Sequence, residues 1–154
     1  MKNKPLVILS ILFLLNISST HAQKKPVTQG IKGQVTWLQG NFMPTFGAGA
    51  SQPKGSPAVR EIYIHALTPE RQTEQAEEPG FYKKINTPLI KKLKSDKNGR
   101  FTVALPVGYY SIFTKEEKGF YANLFDDAMN INPVQVKRGK WSKAEVKIDY
   151  AAVF

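Results

Sequence analysis

Hydrophobic and polar residues alternate most clearly between Ser95 and Thr114, SDKNGRFTVALPVGYYSIFT. Phe101, Val103 and Leu105 fall on one face of the first half, and Tyr110 and Ile112 on one face of the second. Period-2 alternation bounded by Asn98-Gly99 and by Pro106-Val107-Gly108 predicts two half-buried antiparallel strands. Gly99 and Gly108 sit in the turns, where positive φ is cheap for glycine, and Pro106 at a strand end, where no ladder donor is required. Tyr110, two residues after Gly108, is positioned to bury its ring and bond a backbone group, as in the tyrosine corner of other sandwiches.

The same pattern recurs along the chain. Ile31, Gly33, Val35 and Trp37 alternate with Lys32, Gln34 and Thr36, which predicts a first strand. Gly33, on the inward side, implies close approach by a neighbouring side chain. Val59 to Leu67 reads as a second strand, with Ile62, Ile64 and Ala66 inward and Tyr63 and His65 outward. Leu89–Lys94 is a short third strand whose lysines suit a sheet edge. Short strands follow at Tyr121–Phe125 and Pro133–Val136, then a turn at Arg138-Gly139-Lys140. A final strand, Lys143 to Tyr150, turns Ala144, Val146, Ile148 and Tyr150 inward. Residues 38–57 read as a long Gly/Pro-rich loop that Phe42, Met43 and Phe46 pin to the sandwich edge. Residues 68–80 read as a solvated acidic loop, after which Phe81-Tyr82 docks on the core. Long loops of this kind are the usual place for function, so 38–57 and 68–88 are the first places to look. The prediction is an all-β, antiparallel β-sandwich of seven to eight strands, transthyretin-like or Ig-like, with Greek-key connections.

The N-terminus carries a different signal. Lys2 and Lys4 precede the apolar run Leu6 to Ile17, and Thr20-His21-Ala22 offers the small residues a signal peptidase reads. Residues 1–22 are therefore expected to be a signal peptide, cut before Gln23, because the run falls short of the roughly 20 residues a spanning helix needs. Residues 23–154 are then a single exported domain, periplasmic or at the cell surface, that does not span the membrane.

Charge and composition narrow the chemistry. The formal net charge of +10 becomes +8 without the two leader lysines. For an exported protein that favours envelope polyanions over nucleic acid as partners. The absence of cysteine excludes disulfides, thiol catalysis and zinc-thiolate sites, and fits a bacterial envelope better than a disulfide-stapled animal secretion. Lys83, Lys84, Lys91, Lys92 and Lys94, near Phe81 and Tyr82, form a candidate patch for an acidic glycan, beside the plainer reading as a solvated edge. Asp126, Asp127, Asn130 and Asn132 offer oxygens for Ca²⁺, although their spacing is not that of an EF-hand and Asx-rich turns commonly serve themselves. His65 is the one histidine beyond the leader, which leaves no histidine pair for a metal and little for a triad. No cofactor is expected.

Several of these segments resemble one family. Ile31-Lys32-Gly33-Gln34-Val35 is similar to the opening G-x-V strand of carboxypeptidase regulatory-like domains, and Pro57-Ala58-Val59 with Ile62 and Ile64 to their second strand. Ser95 to Phe101 matches T-D-x-x-G-x-F with Ser in place of Thr, and Leu105 to Ile112 matches L-P-x-G-x-Y-x-L. Val134, Val136 and Gly139 resemble the closing V-x-V-x-x-G. The resemblance implies a transthyretin-like sandwich and a non-catalytic folding, docking or binding module for an envelope protein or glycan. The alternative is a small exported hydrolase or Ca²⁺-dependent enzyme with a loop-built site around His65.

Overall fold

The computed structural model describes residues 28–43 and 54–154. The leader, its cleavage site and Phe46 lie outside them. The chain is an all-β sandwich of two largely antiparallel sheets. Its strands are β1 (Gly30–Asn41), β2 (Ser56–Pro57), β3 (Glu61–Ala66), β4 (Thr73–Gln75), β5 (Phe81–Ile85), β6 (Leu89–Lys94), β7 (Arg100–Ala104), β8 (Gly108–Glu116), β9 (Gly119–Tyr121), β10 (Pro133–Val136) and β11 (Trp141–Val153). No helix among the described residues is long and apolar enough to cross a membrane.

The smaller sheet is built on β1. One edge of β1 runs parallel to β11, and the other pairs with β7 along its first half and with β2 at Thr36 and Trp37. The larger sheet runs β4-β5-β9-β8-β3-β6, with β10 also on β8. The two predicted strands around Pro106 therefore do not pair with each other: β7 belongs to one sheet and β8 to the other, and Pro106-Val107-Gly108 carries the chain between layers. Tyr110 locks that crossing, its hydroxyl donating to the Pro106 carbonyl at 2.9 Å.

The main core lies between the sheets. Ile31, Val35, Phe101, Val103, Ala144, Val146 and Ile148 face Ile62, Ile64, Phe81, Tyr110, Ile112 and Val136. Gly33 sits under the Phe101 ring, where a Cβ would collide with it, as the sequence implied. Gly99 takes φ +71° in the turn before β7. Gly108 does not use positive φ; a Cβ there would press on the Tyr110 ring and hydroxyl, so its smallness serves the lock.

A second core lies behind the larger sheet, where Tyr82, Phe113, Ala122 and Ile131 are buried with Tyr63, Ile85 and Phe120 against them. Four strand spacings of about 4.8 Å separate β5 from β6 in a flat sheet, roughly 19 Å. The linker Asn86–Pro88 spans only about 14 Å fully extended. The larger sheet must therefore curl, and the curl encloses this second cluster. As a result β8 buries Tyr110 through Thr114 without interruption, and His65 is buried rather than outward and exposed.

Several boundaries differ from those predicted: β5 is a strand within the expected 68–88 loop, β3 is shorter than Val59 to Leu67, and β11 extends beyond Lys143 to Tyr150 at both ends. Residues 38–41 continue β1, and Phe42 stacks on Phe154 with ring centroids 5.8 Å apart. The acidic stretch after Thr68 forms a 3-10 turn at Glu70–Gln72 and then the edge strand β4, because backbone pairing with β5 needs no apolar face. The strand expected over Tyr121–Phe125 is Gly119–Tyr121, and Phe125 makes a lone bridge to Ile131.

Candidate functional site

Where β11 runs beside the end of β1, Trp37 pairs with Ile148 but Gln39 pairs with Ala151, so β11 carries one extra residue. Such a bulge re-aims side chains and is common beside sites. Here it delivers Asp149 and Tyr150 together to one end of the sandwich. The β4–β5 turn closes over the same end. Gly80, at φ +78°, lies so close to the Tyr121 ring that a Cβ would stand 2.9 Å from it.

Between these elements lies a cleft of about 480 Å³, within the range of small-ligand sites. Its walls are aromatic: Phe81, Tyr121, Tyr150, Phe125 and Phe154. Phe81, Tyr121 and Tyr150 form a triangle with ring centroids 4.9–5.2 Å apart, and Trp37 backs Tyr150 edge-on at 4.9 Å. Asp149 supplies the polar centre. Its Oδ1 accepts the Tyr121 hydroxyl at 2.5 Å and also the Asn123 side-chain amide, while Oδ2 makes no hydrogen bond among the described residues. Burial, reinforced by the Asp149 carboxylate, pushes the Tyr121 hydroxyl far above its usual range, so it stays protonated and donating. The Asn123 carbonyl oxygen is buried without a partner, an orphan that calls for a donor.

Beneath Tyr150 is a charged brace between the sheets. Its hydroxyl donates to Glu116 at 3.2 Å, Arg60 Nε bonds both Glu116 oxygens at 3.1 Å, and the Arg60 guanidinium lies over Trp37. Burial first, and Glu116 second, raise the Tyr150 pKa.

A second hollow of about 310 Å³ shares Glu78, Phe81 and Phe125 with the cleft and adds Glu70 and Glu77. Neither concavity is lined by Lys or Arg. The cleft lining also lacks His, Ser and Thr, so what it offers chemically is aromatic surface, the Asp149 and Glu78 carboxylates and the Asn123 amide.

The residues singled out in the sequence lie elsewhere. Lys83 and Lys84 are on β5, and Lys91, Lys92 and Lys94 on β6, with three strands between them in pairing order. Neighbours within a strand also point to opposite faces. Lys84 is 3.6 Å from Glu74 and Lys92 is 3.0 Å from Glu61. All five are exposed, and two of them lie beside a glutamate. In the 126–132 loop, Asp126 Oδ1 accepts the Ala128 and Asn130 N–H groups, Asp126 Oδ2 the Asn130 amide, and Asn132 Oδ1 the Leu124 N–H. Met129 and Asn132 hold positive φ, and Asp127 is exposed. Among the described residues no group of three or more His, Cys, Asp or Glu is arranged to hold a metal ion.

His65 is buried against Phe113, and its Nδ1 lies 2.9 Å from the Thr87 carbonyl. A carbonyl only accepts, so Nδ1 carries the proton in the neutral ring. Thr87 and Thr68 share a 2.6 Å hydroxyl bond, and Ser111 accepts the Thr68 N–H. His65 makes no hydrogen bond to a carboxylate among the described residues.

The sequence did not point to Asn123, Tyr121 or Asp149. Asp149 belongs to an outward charged series, and only the bulge and the return of β9 bring it beside an aromatic triangle. No family model, curated protein or solved structure matches the chain.

Proposed function

We propose that this chain is an exported, non-catalytic binding module of the bacterial envelope, resembling carboxypeptidase regulatory-like domains, whose ligand enters the cleft beside Asp149 and Tyr150. One observation carries the reading: an aromatic-walled cavity of ligand size with convergent polar groups, Asp149 and Asn123, at a strand bulge. Catalysis is disfavoured because no nucleophile–base pair lines the cleft and His65 is engaged by Thr87 in the other core. A polyanion is the weaker reading for this cleft, because its lining contains no Lys or Arg. The ligand is then a small compound, or a group at the end of a chain, presented by an envelope protein or glycan.

A test that presupposes no ligand is an NMR fragment screen of residues 23–154 with mixtures of sugars, amines, amino acids and short fatty acids. Saturable shifts concentrated at Gly80, Asn123, Phe125 and Tyr150 are expected. Binding only at other surfaces, or none by any class, would remove the reading.

A further inference from the structure

The chain carries an excess of ten positive charges, yet the cleft is lined by Glu78 and Asp149 and by no Lys or Arg; Lys83 and Lys118 line a smaller, separate hollow beside Glu77 and Glu78. The charge contrast centres on Asp149. Its partners, the Tyr121 hydroxyl and the Asn123 amide, are neutral, so they orient the carboxylate without cancelling its charge. Glu78, at the rim, is matched by Lys118 at 2.6 Å, whereas Asp149 makes no ion pair among the described residues.

Beside that charge three exposed rings line the cleft, Tyr150, Phe125 and Phe154, and the face of an aromatic ring carries the negative side of its quadrupole. An anion is repelled by both features, and a neutral ring gains stacking alone. A cation gains both the carboxylate and the rings, in a partly desolvated site where each interaction is stronger than in water. The Asn123 amide, which lines the same wall, spends one N–H on Asp149 and so helps to hold the carboxylate in place.

On the reading that this cleft is the binding site, we infer that it takes an organic ammonium group, with Asp149 as its counter-ion and Tyr150 and Phe125 as its aromatic contacts. The group needs no metal or co-reactant. It can be quaternary, meeting only faces and charge, or primary, in which case it also donates to Asp149 Oδ2. A volume of about 480 Å³ admits a group the size of choline or a lysine side chain.

The experiment titrates choline chloride and lysine amide into residues 23–154 followed by ¹H–¹⁵N NMR. Sodium chloride at matched ionic strength and methyl α-glucoside serve as controls. Saturable shifts at Asn123 and Gly80 with millimolar affinity are expected for one or both ammonium probes, and none for the salt. Asp149→Asn is expected to weaken binding at least tenfold. Phe125→Ala, which removes an exposed ring and leaves the core intact, is expected to weaken choline several-fold. Choline without lysine amide identifies a quaternary ligand, and lysine amide without choline a donor ammonium. Equal or tighter binding of the glucoside, or unchanged affinity in both variants, would overturn the ammonium assignment while leaving the cleft as a binding site. No saturable shift with either ammonium overturns it as well, and the fragment screen then decides whether the cleft binds another class.

Discussion

Replacing Arg60 with Met tests whether the brace beneath the cleft is electrostatic. The Glu116 side chain is only 4% exposed, whereas that of Arg60 is 31% exposed. Removing the guanidinium leaves a buried carboxylate with Tyr150 as its remaining side-chain hydrogen-bond donor among the described residues. Breaking a buried pair by deleting one partner typically costs about 3–5 kcal/mol. Water reaching the partly exposed Arg60 position discounts this to about 2–3 kcal/mol, still a large share of the roughly 5–15 kcal/mol that holds a domain together. Most of that loss is the uncompensated charge rather than lost packing, which gives a prediction of opposite signs. Glu116→Gln keeps an oxygen for the Tyr150 hydroxyl and removes the charge. It should destabilise the parent by about 1 kcal/mol and stabilise Arg60→Met by about the same amount. Urea unfolding followed by far-UV circular dichroism and tryptophan fluorescence measures all four members of the cycle, with the slope m checked for constancy. If Glu116→Gln costs the same in both backgrounds, the brace is packing, and the electrostatic account is wrong.

Other outcomes follow from single contacts. Tyr110→Phe removes the hydrogen bond to Pro106 and nothing else, so about 1 kcal/mol and about 3 °C of thermal midpoint should be lost. A calorimetric midpoint equal to the parent's would show that the lock is the ring alone. Gly33→Val forces a side chain into the Phe101 ring and the Ala144 carbonyl, and an overpacking cost of about 1–3 kcal/mol is expected in the same assay. Burial lowers the His65 pKa below its ordinary 6.5, with the Thr87 bond opposing in part. The unfolded chain therefore takes up the proton first as pH falls. Stability should decline as pH drops through 6.5 toward the depressed folded value and then level off, and His65→Gln should flatten that portion of the curve. A profile unchanged by the substitution would show that His65 does not contribute to it.

The strands that could be read in the sequence are those with one wet face. β7 and β11 expose every second residue, and β6 is the lysine-rich edge strand expected at Leu89–Lys94. Alternation does not say which sheet a strand joins, so β7 and β8, adjacent in sequence, fall in opposite layers. β4 is polar on both sides and had no pattern to show. β8 and β3 lie between two cores, so a period-2 reading finds one buried face, misses the other, and puts the buried His65 on the outward side. The cleft was illegible for a further reason. Asp149 and Tyr121 are 2.5 Å apart only because a one-residue bulge meets a returning strand, and nothing local to either residue records that meeting.

The parallel pairing of β1 with β11 has a consequence in time. Gly30 lies beside Trp141 and Asn41 beside Val153, so the first described strand stays half-paired until the last one exists. A sandwich closed by its most distant segments has high contact order and folds slowly, because loop-closure entropy is spent before the long-range contacts repay it. During that interval the open edge of β1 can pair with another chain. A chain threaded into its compartment N-terminus first would have to be kept apart from its neighbours until its final thirteen-residue strand arrives. Because that strand also carries Asp149 and Tyr150, the cleft and a completed fold appear at the same moment.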